Sequence, residues 1–170
     1  METAITALIV IGILIVAILG LSSQALSAQT SISQNTQLLL QQEGERARTN
    51  LGVIGAAASP DGSSVQMTLK NSGSSRIYDF TQWDVFLQYS DGETQQVNWY
   101  GYGVEANQWN EIIYQDAATL APEVIEPGIL NPGEEIVVTV NISPPVGTGT
   151  TNQVTIATSN GITASAVFTH

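Results

Sequence analysis

The residues of this chain that could support catalysis or metal binding are few, and most of them are carboxylates. The single histidine is His170, so a Ser-His-Asp arrangement would depend on the last residue of the chain. Asp91 and Glu93 form one of several acidic pairs, but fifteen acids in 170 residues make chance pairs common. Asp61-Gly62-Ser63 is typical of a turn, whereas a calcium site needs several converging oxygens. We therefore predict no catalytic residue, no metal site and no cofactor, and we expect that the chain is not an enzyme.

Aromatic side chains and one asparagine form a second group of candidates. Five aromatic residues could build a sugar-stacking platform, although aromatic residues in a β domain more commonly fill its core or a subunit interface: they are Trp83, Trp99, Tyr100, Tyr102 and Trp109. Asn141-Ile142-Ser143 is the one N-glycosylation sequon, and Pro144 directly after it tends to lower its use. Asn141 is accordingly either a glycosylation site or an ordinary asparagine at a strand end.

The charge of the chain excludes several classes of partner. Fifteen acids against four basic residues give a net charge of −11. From Gly52 onward only Lys70 and Arg76 oppose twelve acids, so that region carries −10. Such a surface repels nucleic acid and anionic lipid, and we expect no nucleic-acid partner. The absence of cysteine excludes disulfides, thiolate metal sites and cysteine nucleophiles.

The elements that must carry the function begin with an apolar N-terminal run. Residues 3–21 contain no charged or strongly polar side chain, and Glu2 is the only charge before Glu43. This length suits a membrane anchor, and Ala25-Leu26-Ser27 resembles a signal-peptide cleavage site. Both interpretations are weakened because no basic residue precedes the run. A third interpretation fits better: the helix spends time in the membrane and then leaves it to pack with identical helices in a fibre.

Residues after the apolar run support this third interpretation. Positions at alternating steps of four and three from Leu21 to Leu39 are apolar except for Asn35, and such a pattern is typical of helix packing. We predict one continuous helix from about residue 4 to about residue 51. Its expected packing positions in a filament core are Leu8, Ile11, Ile15, Ile18, Leu21, Ala25, Ala28, Ile32 and Leu39. A lone membrane anchor followed by a helical stalk is the alternative.

Beyond residue 51 the sequence changes to short β-branched runs separated by turn residues. Alternating patterns predict strands near residues 53–58, 65–70, 83–89, 94–99, 136–142, 154–157 and 162–168. Asp91-Gly92 and Asn160-Gly161 predict hairpin turns, Asn131-Pro132-Gly133-Glu134 predicts a type II turn, and Tyr100 to Trp109 is predicted to be a long loop. The fold class is therefore α+β: a long N-terminal helical domain, residues 1–51, followed by an antiparallel immunoglobulin-like β-sandwich, residues 52–170.

Three segments, in this order and spacing, resemble the archaellins, the subunits of the archaeal swimming filament within the type IV pilin-like group. They are the aliphatic run 6–17, the pair Leu69–Gly73 and Asp79–Val85, and Gly128–Glu134 before a strand. The resemblance implies a precursor whose short basic leader is removed by a peptidase, with Met1 as the mature N-terminus. It also implies a helical filament with the helices inside and the β domains outside. Bacterial type IV pilins carry a glutamate at the fifth mature position, and this chain has its early acid at Glu2 instead.

These observations predict a structural subunit of an extracellular, cell-surface filament, the archaellum, used for swimming. The expected partners are identical copies of the chain, the membrane before assembly, and the motor and platform proteins of the assembly machinery. An adhesive type IV-like pilus subunit is one alternative. A membrane-anchored carbohydrate-binding β-sandwich that uses the Trp and Tyr side chains is another.

Overall fold

The computed structural model describes residues 2–170, apart from the side chains of residues 2–4, 6, 21–23 and 25–28. It contains one α-helix, α1, at Glu2–Arg48. No proline interrupts this stretch, and charged side chains return only in its last turns. The described residues divide into two compact units, 1–43 and 44–170, and each is considered by itself below.

Residues 44–170 form a β domain that is built from consecutive strands. In the part of the chain that the structure describes there are nine strands: β1 (Leu51–Ala58), β2 (Ser64–Asn71), β3 (Asp84–Ser90), β4 (Gln95–Tyr102), β5 (Gln108–Asp116), β6 (Ala121–Pro122), β7 (Glu135–Asn141), β8 (Thr151–Ala157) and β9 (Thr163–Thr169). A 3₁₀ helix at Phe80–Gln82 precedes β3.

Neighbouring strands pair in the order β1-β2-β7-β5-β4-β3-β8-β9, with β6 added beside β5. Almost all pairs are antiparallel, but β4 and β5 pair in parallel through Gly101 with Gln108 and Tyr102 with Trp109. The two ends of this order, β1 and β9, also contact each other, so the sheet curves around one core. An N-terminal helical part followed by a largely antiparallel β-sandwich or barrel-like domain confirms the predicted α+β class.

Alternating side chains fill the core between the curved layers. In β2, for example, Val65, Met67 and Leu69 are fully buried, while the residues between them face outward. The same alternation follows β3, β7, β8 and β9. The β domain therefore has a core of its own. Each fully buried aliphatic side chain in it contributes roughly 1.5–3 kcal/mol to the stability.

One prediction for this domain is wrong. Tyr100 to Trp109 is not a long loop, because β4 continues to Tyr102 and β5 begins at Gln108. Tyr100 and Trp109 are buried, and core packing therefore outweighs the glycine content that suggested a loop. The turn at Asn131–Glu134 is confirmed, since Gly133 has a φ of 91° and the Glu134 amide donates to the Asn131 carbonyl at 3.1 Å.

Candidate functional site

The N-terminal two-fifths of α1 expose aliphatic side chains in every direction. Six of the predicted packing residues lie in the described part of the helix, and their side chains are 52–75% exposed: Leu8, Ile11, Ile15, Ile18, Ile32 and Leu39. The side chains of Leu21, Ala25 and Ala28 lie outside the described residues. Ile9, Ile13 and Val16, which the predicted stripe omits, are as exposed as its members. Aliphatic side chains on all sides of a helix are typical of a helix that is buried on all sides.

This surface consists of apolar side chains and carries no catalytic group. Contiguous exposed apolar area on a monomeric soluble protein rarely exceeds a few hundred Å², and here it follows about 14 residues of helix without a charge. Among the residues that the structure describes, no helix meets the length and mean hydropathy needed to cross a membrane.

The carboxyl end of α1 is fixed to the β domain through hydrogen bonds. The Thr49 amide donates to the Glu45 and Arg46 carbonyls at 3.0 and 3.1 Å, and the Thr49 hydroxyl donates to Glu45 at 2.8 Å. Asn160, in the turn between β8 and β9, donates from its side-chain amide to the Thr49 hydroxyl at 3.0 Å. Thr49 is buried, so this contact ties the end of the helix to a hairpin 111 residues away in sequence.

The loop after β2 binds the next carbonyls of the chain. The amides of Ser74 and Ser75 donate to the Arg48 carbonyl at 2.8 and 3.2 Å, and the Gly73 amide donates to Asn50 at 3.2 Å. A Cβ atom at Gly73 would lie 2.3 Å from the Arg48 carbonyl oxygen, which is too close for any other residue. Carbonyls that an α-helix leaves unpaired at its end are thus satisfied by a distant loop.

Asn71 holds this loop in place. It is buried, and its amide nitrogen donates to the carbonyls of Ser75 and Leu130 at 2.8 and 3.0 Å. Its side-chain oxygen accepts from the Gly73 amide at 3.1 Å. Two of the segments that carry the archaellin resemblance, Leu69–Gly73 and Gly128–Glu134, therefore meet at the end of α1. The position of Asn71-Ser72-Gly73 beside the end of the helix was not predicted from the sequence.

The carboxylates of Asp61 and Asp91, which were candidates for metal binding, accept hydrogen bonds from residues of the turns in which they lie. Asp91 accepts hydrogen bonds from the amides of Thr94 and Glu93 at 2.7 and 2.9 Å, and these lower the pKa of its carboxyl to about 2. Asp61 has its pKa lowered to about 2 by hydrogen bonds from the Ser59 and Ser63 hydroxyls. The structure brings together no group of three or more His, Asp or Glu side chains suited to a metal ion within the residues it describes.

The five aromatic residues do not form one platform. Trp83, Tyr100 and Trp109 are buried in the core, where the two indole rings stack with centroids 6.4 Å apart. Trp99 and Tyr102 are on the outside, and each uses its polar atom within the domain. The Trp99 indole donates to Asp84 at 2.9 Å, and the Tyr102 hydroxyl donates to the Glu111 carboxylate at 2.9 Å.

Asn141 ends β7, and its side-chain amide donates to the carbonyls of Val104 and Glu105 at 3.1 and 3.4 Å. These bonds connect β7 to the loop between β4 and β5. Attachment of a glycan would use the same amide nitrogen and one of its two hydrogens, and it would therefore have to replace at least one of these contacts.

Comparison with known proteins identifies the family of a chain with this apolar helix and β domain. A family model for archaeal-type flagellin matches residues 2–168, nearly the whole chain. The chain belongs to the archaeal-type flagellin family. Members of this family are structural filament proteins, so this archaellin is a structural subunit of an archaellum filament and not an enzyme. No match was found among curated proteins.

Solved structures support the fold of this archaellin. The archaeal flagellum of Methanospirillum hungatei strain JF1 is similar over 96% of this chain and 90% of that chain, with a TM-score of 0.59 and 18% identity. The archaellum periplasmic stator protein FlaG from Sulfolobus acidocaldarius covers 71% of this chain and 99% of its own, with a TM-score of 0.53 and 21% identity. A chain of the archaellum periplasmic stator protein complex FlaF and FlaG from the same organism is similar over 69% of this chain and 87% of that chain, with a TM-score of 0.53 and 21% identity. At these identities the likeness shows the fold alone, and the fold serves both filament and stator.

Proposed function

We propose that α1 of this archaellin polymerises the filament by packing against α1 of neighbouring copies. The observation that carries the proposal is the exposure of aliphatic side chains around the whole helix, from Leu8 to Ile18 and again at Ile32 and Leu39. In water this surface is unfavourable, and identical helices offer an apolar environment for it at roughly 1.5–3 kcal/mol per fully buried side chain. Leu21, Ala25 and Ala28 are proposed as members of the same core.

We further propose that residues 1–51, with α1 as a long core helix, form the filament core and that residues 52–170 form an immunoglobulin-like outer domain. The acidic charge supports the second part, because twelve acids against Lys70 and Arg76 favour a position in water. The hydrogen bonds from Ser74, Ser75 and Asn160 to the end of the helix would carry force between core and exterior. Rotation of the core would then move the surface that contacts the medium.

Before assembly, α1 is proposed to reside in the membrane, which its uncharged run 3–21 supports. Platform and motor proteins of the archaellum machinery would then add the subunit to the base of the filament and rotate it. The assembled filament would lie outside the cell. Asn141 remains a proposed glycosylation site, and mass spectrometry of sheared filaments tests it directly.

The experiment for this function combines electron microscopy with a deletion strain. Sheared cell-surface material from the native host should contain filaments of this chain, and deletion of its gene should abolish both filaments and swimming. Filaments without a swimming defect would indicate the adhesive pilus instead. Recovery of the protein only in membranes, without filaments, would contradict polymerisation and favour the anchored carbohydrate-binding module.

A further inference from the structure

The outer face of the strands β4, β3, β8 and β9 has no charged side chain across most of its width. Paired residues place the exposed side chains in two rows across the four strands. The first row contains Trp99, Phe86, Thr155 and Ser165, and the second contains Val97, Gln88, Gln153 and Val167. We call these eight residues the neutral face.

Aliphatic and aromatic side chains give the neutral face its apolar character. Val97 and Val167 are 69% and 66% exposed, and Trp99 is 58% exposed. The indole nitrogen of Trp99 is already bonded to Asp84 at the border of the face, so its ring presents carbon outward. A shallow depression of about 250 Å³ lies between Phe86, Val97 and the neighbouring amide and hydroxyl side chains.

The neutral face contrasts with the rest of the domain. Residues 52–170 carry a net charge of −10, yet no Asp, Glu, Lys or Arg occurs from residue 136 to the end of the chain. Both strands β8 and β9 come from this segment. In a polymer of identical acidic domains, facing carboxylates repel one another, so contacts between copies require a surface without them.

We propose that the neutral face is a contact surface for a second copy of this chain in the filament, an inference that rests on the proposed polymerisation through α1. Four strands 4.8 Å apart and five residues deep give the face an area of about 300 Å². A stable pair of proteins buries about 800 Å² on each partner. The face is therefore too small to dimerise the subunits alone, and it becomes occupied once the helices hold the copies together.

Cysteine labelling tests this proposal cleanly, because the chain has no cysteine of its own. Gln88→Cys and Gln153→Cys place a thiol in the centre of the neutral face. Val104→Cys is the control, since Val104 is 75% exposed beside Glu105 in the loop between β4 and β5. Each variant is treated with a maleimide dye, once as intact filaments and once as dissociated full-length subunits.

The expected result is loss of labelling at both face positions in filaments, with full labelling in dissociated subunits and at Val104→Cys in both states. A second supporting result is that neither face variant forms filaments, although Val104→Cys forms them normally. In that case the melting temperature of the β domain must be unchanged in the face variants, so that the loss of filaments reports a contact at the neutral face. Filaments whose face thiols label as fast as those of dissociated subunits would overturn the inference and leave polymerisation through α1 intact. Binding of a soluble oligosaccharide to the face of intact filaments would overturn it as well.

Discussion

Replacing Ile15 with aspartate tests the helix core at a single position. Ile15 is 52% exposed in the single subunit, so assembly removes the other half of its side chain from water, about 1 kcal/mol. A carboxylate at this depth finds no basic side chain among residues 1–42. It must be desolvated or take up a proton, and protonation at pH 7 costs about 4 kcal/mol for a group with a pKa near 3.9.

The two effects together amount to about 5 kcal/mol per subunit, and 1.4 kcal/mol corresponds to a factor of ten in an equilibrium constant. We therefore expect Ile15→Asp to raise the subunit concentration needed for filaments by on the order of 10³. Pelleting after dilution measures this concentration, and electron microscopy identifies the pelleted material. Ile15→Val should polymerise almost normally, because it keeps the apolar surface.

Ile112→Asp is the matched control for this experiment. Ile112 is also 52% exposed in the single subunit, but it lies on β5 of the acidic outer domain. We expect ordinary filament yield for Ile112→Asp and almost none for Ile15→Asp, with the β domain of both variants retaining its thermal transition. Normal filament yield from Ile15→Asp would refute the argument that burial of α1 holds the subunits together.

Three further predictions concern the junction, the acid response and the exterior. Gly73→Ala should destabilise the β domain by about 2 kcal/mol, because the added Cβ would lie 2.3 Å from the Arg48 carbonyl oxygen. Gly55→Ala is the control, since a Cβ there meets open space and should not lower the stability. Equal melting temperatures of the two variants would contradict a stabilising contact between the Gly73 loop and the end of α1. The pKa values of Asp61 and Asp91 fall from 3.8 to about 2 on folding, so the stability they add is present above pH 3.8 and is lost as the pH falls toward 2. Thermal melts between pH 4 and pH 2 should therefore decline less steeply in Asp91→Asn than in the wild type, and parallel curves would speak against this contribution. Filaments should resist dissociation better at 1 M than at 0.1 M NaCl, since the Debye length falls from ~10 Å to ~3 Å, and a steady loss of stability with salt would indicate attractive ion pairs between copies instead.

Local patterns were sufficient to predict much of this architecture from the sequence. Alternation in the segments that became β2 and β3 identified the strands and their buried faces, because a residue period of two is imposed by strand geometry itself. Pro132 and Gly133 identified their turn, since each residue restricts or permits a particular backbone conformation. The helical N-terminus followed from uninterrupted apolar and polar residues without proline.

Features that depend on contacts distant in sequence could not be predicted in this way. The parallel pairing of β4 with β5 and the burial of Trp109 are decided by the whole sheet. Asn71 and Asn160 look like turn residues, and their bonds to the loop and helix end arise only when segments up to 111 residues apart meet. The neutral face could not be predicted from the sequence either, because the register between four strands brings its two rows of residues together.

Electron cryomicroscopy of the filament at side-chain resolution is the most direct test of the central claim. We expect residues 8–18 of α1 to be enclosed by the same helix of neighbouring copies, with Ile15 fully removed from solvent and the acidic β domains on the outside. A filament in which Ile15 remains as exposed as in the single subunit, or in which α1 contacts no other chain, would contradict it.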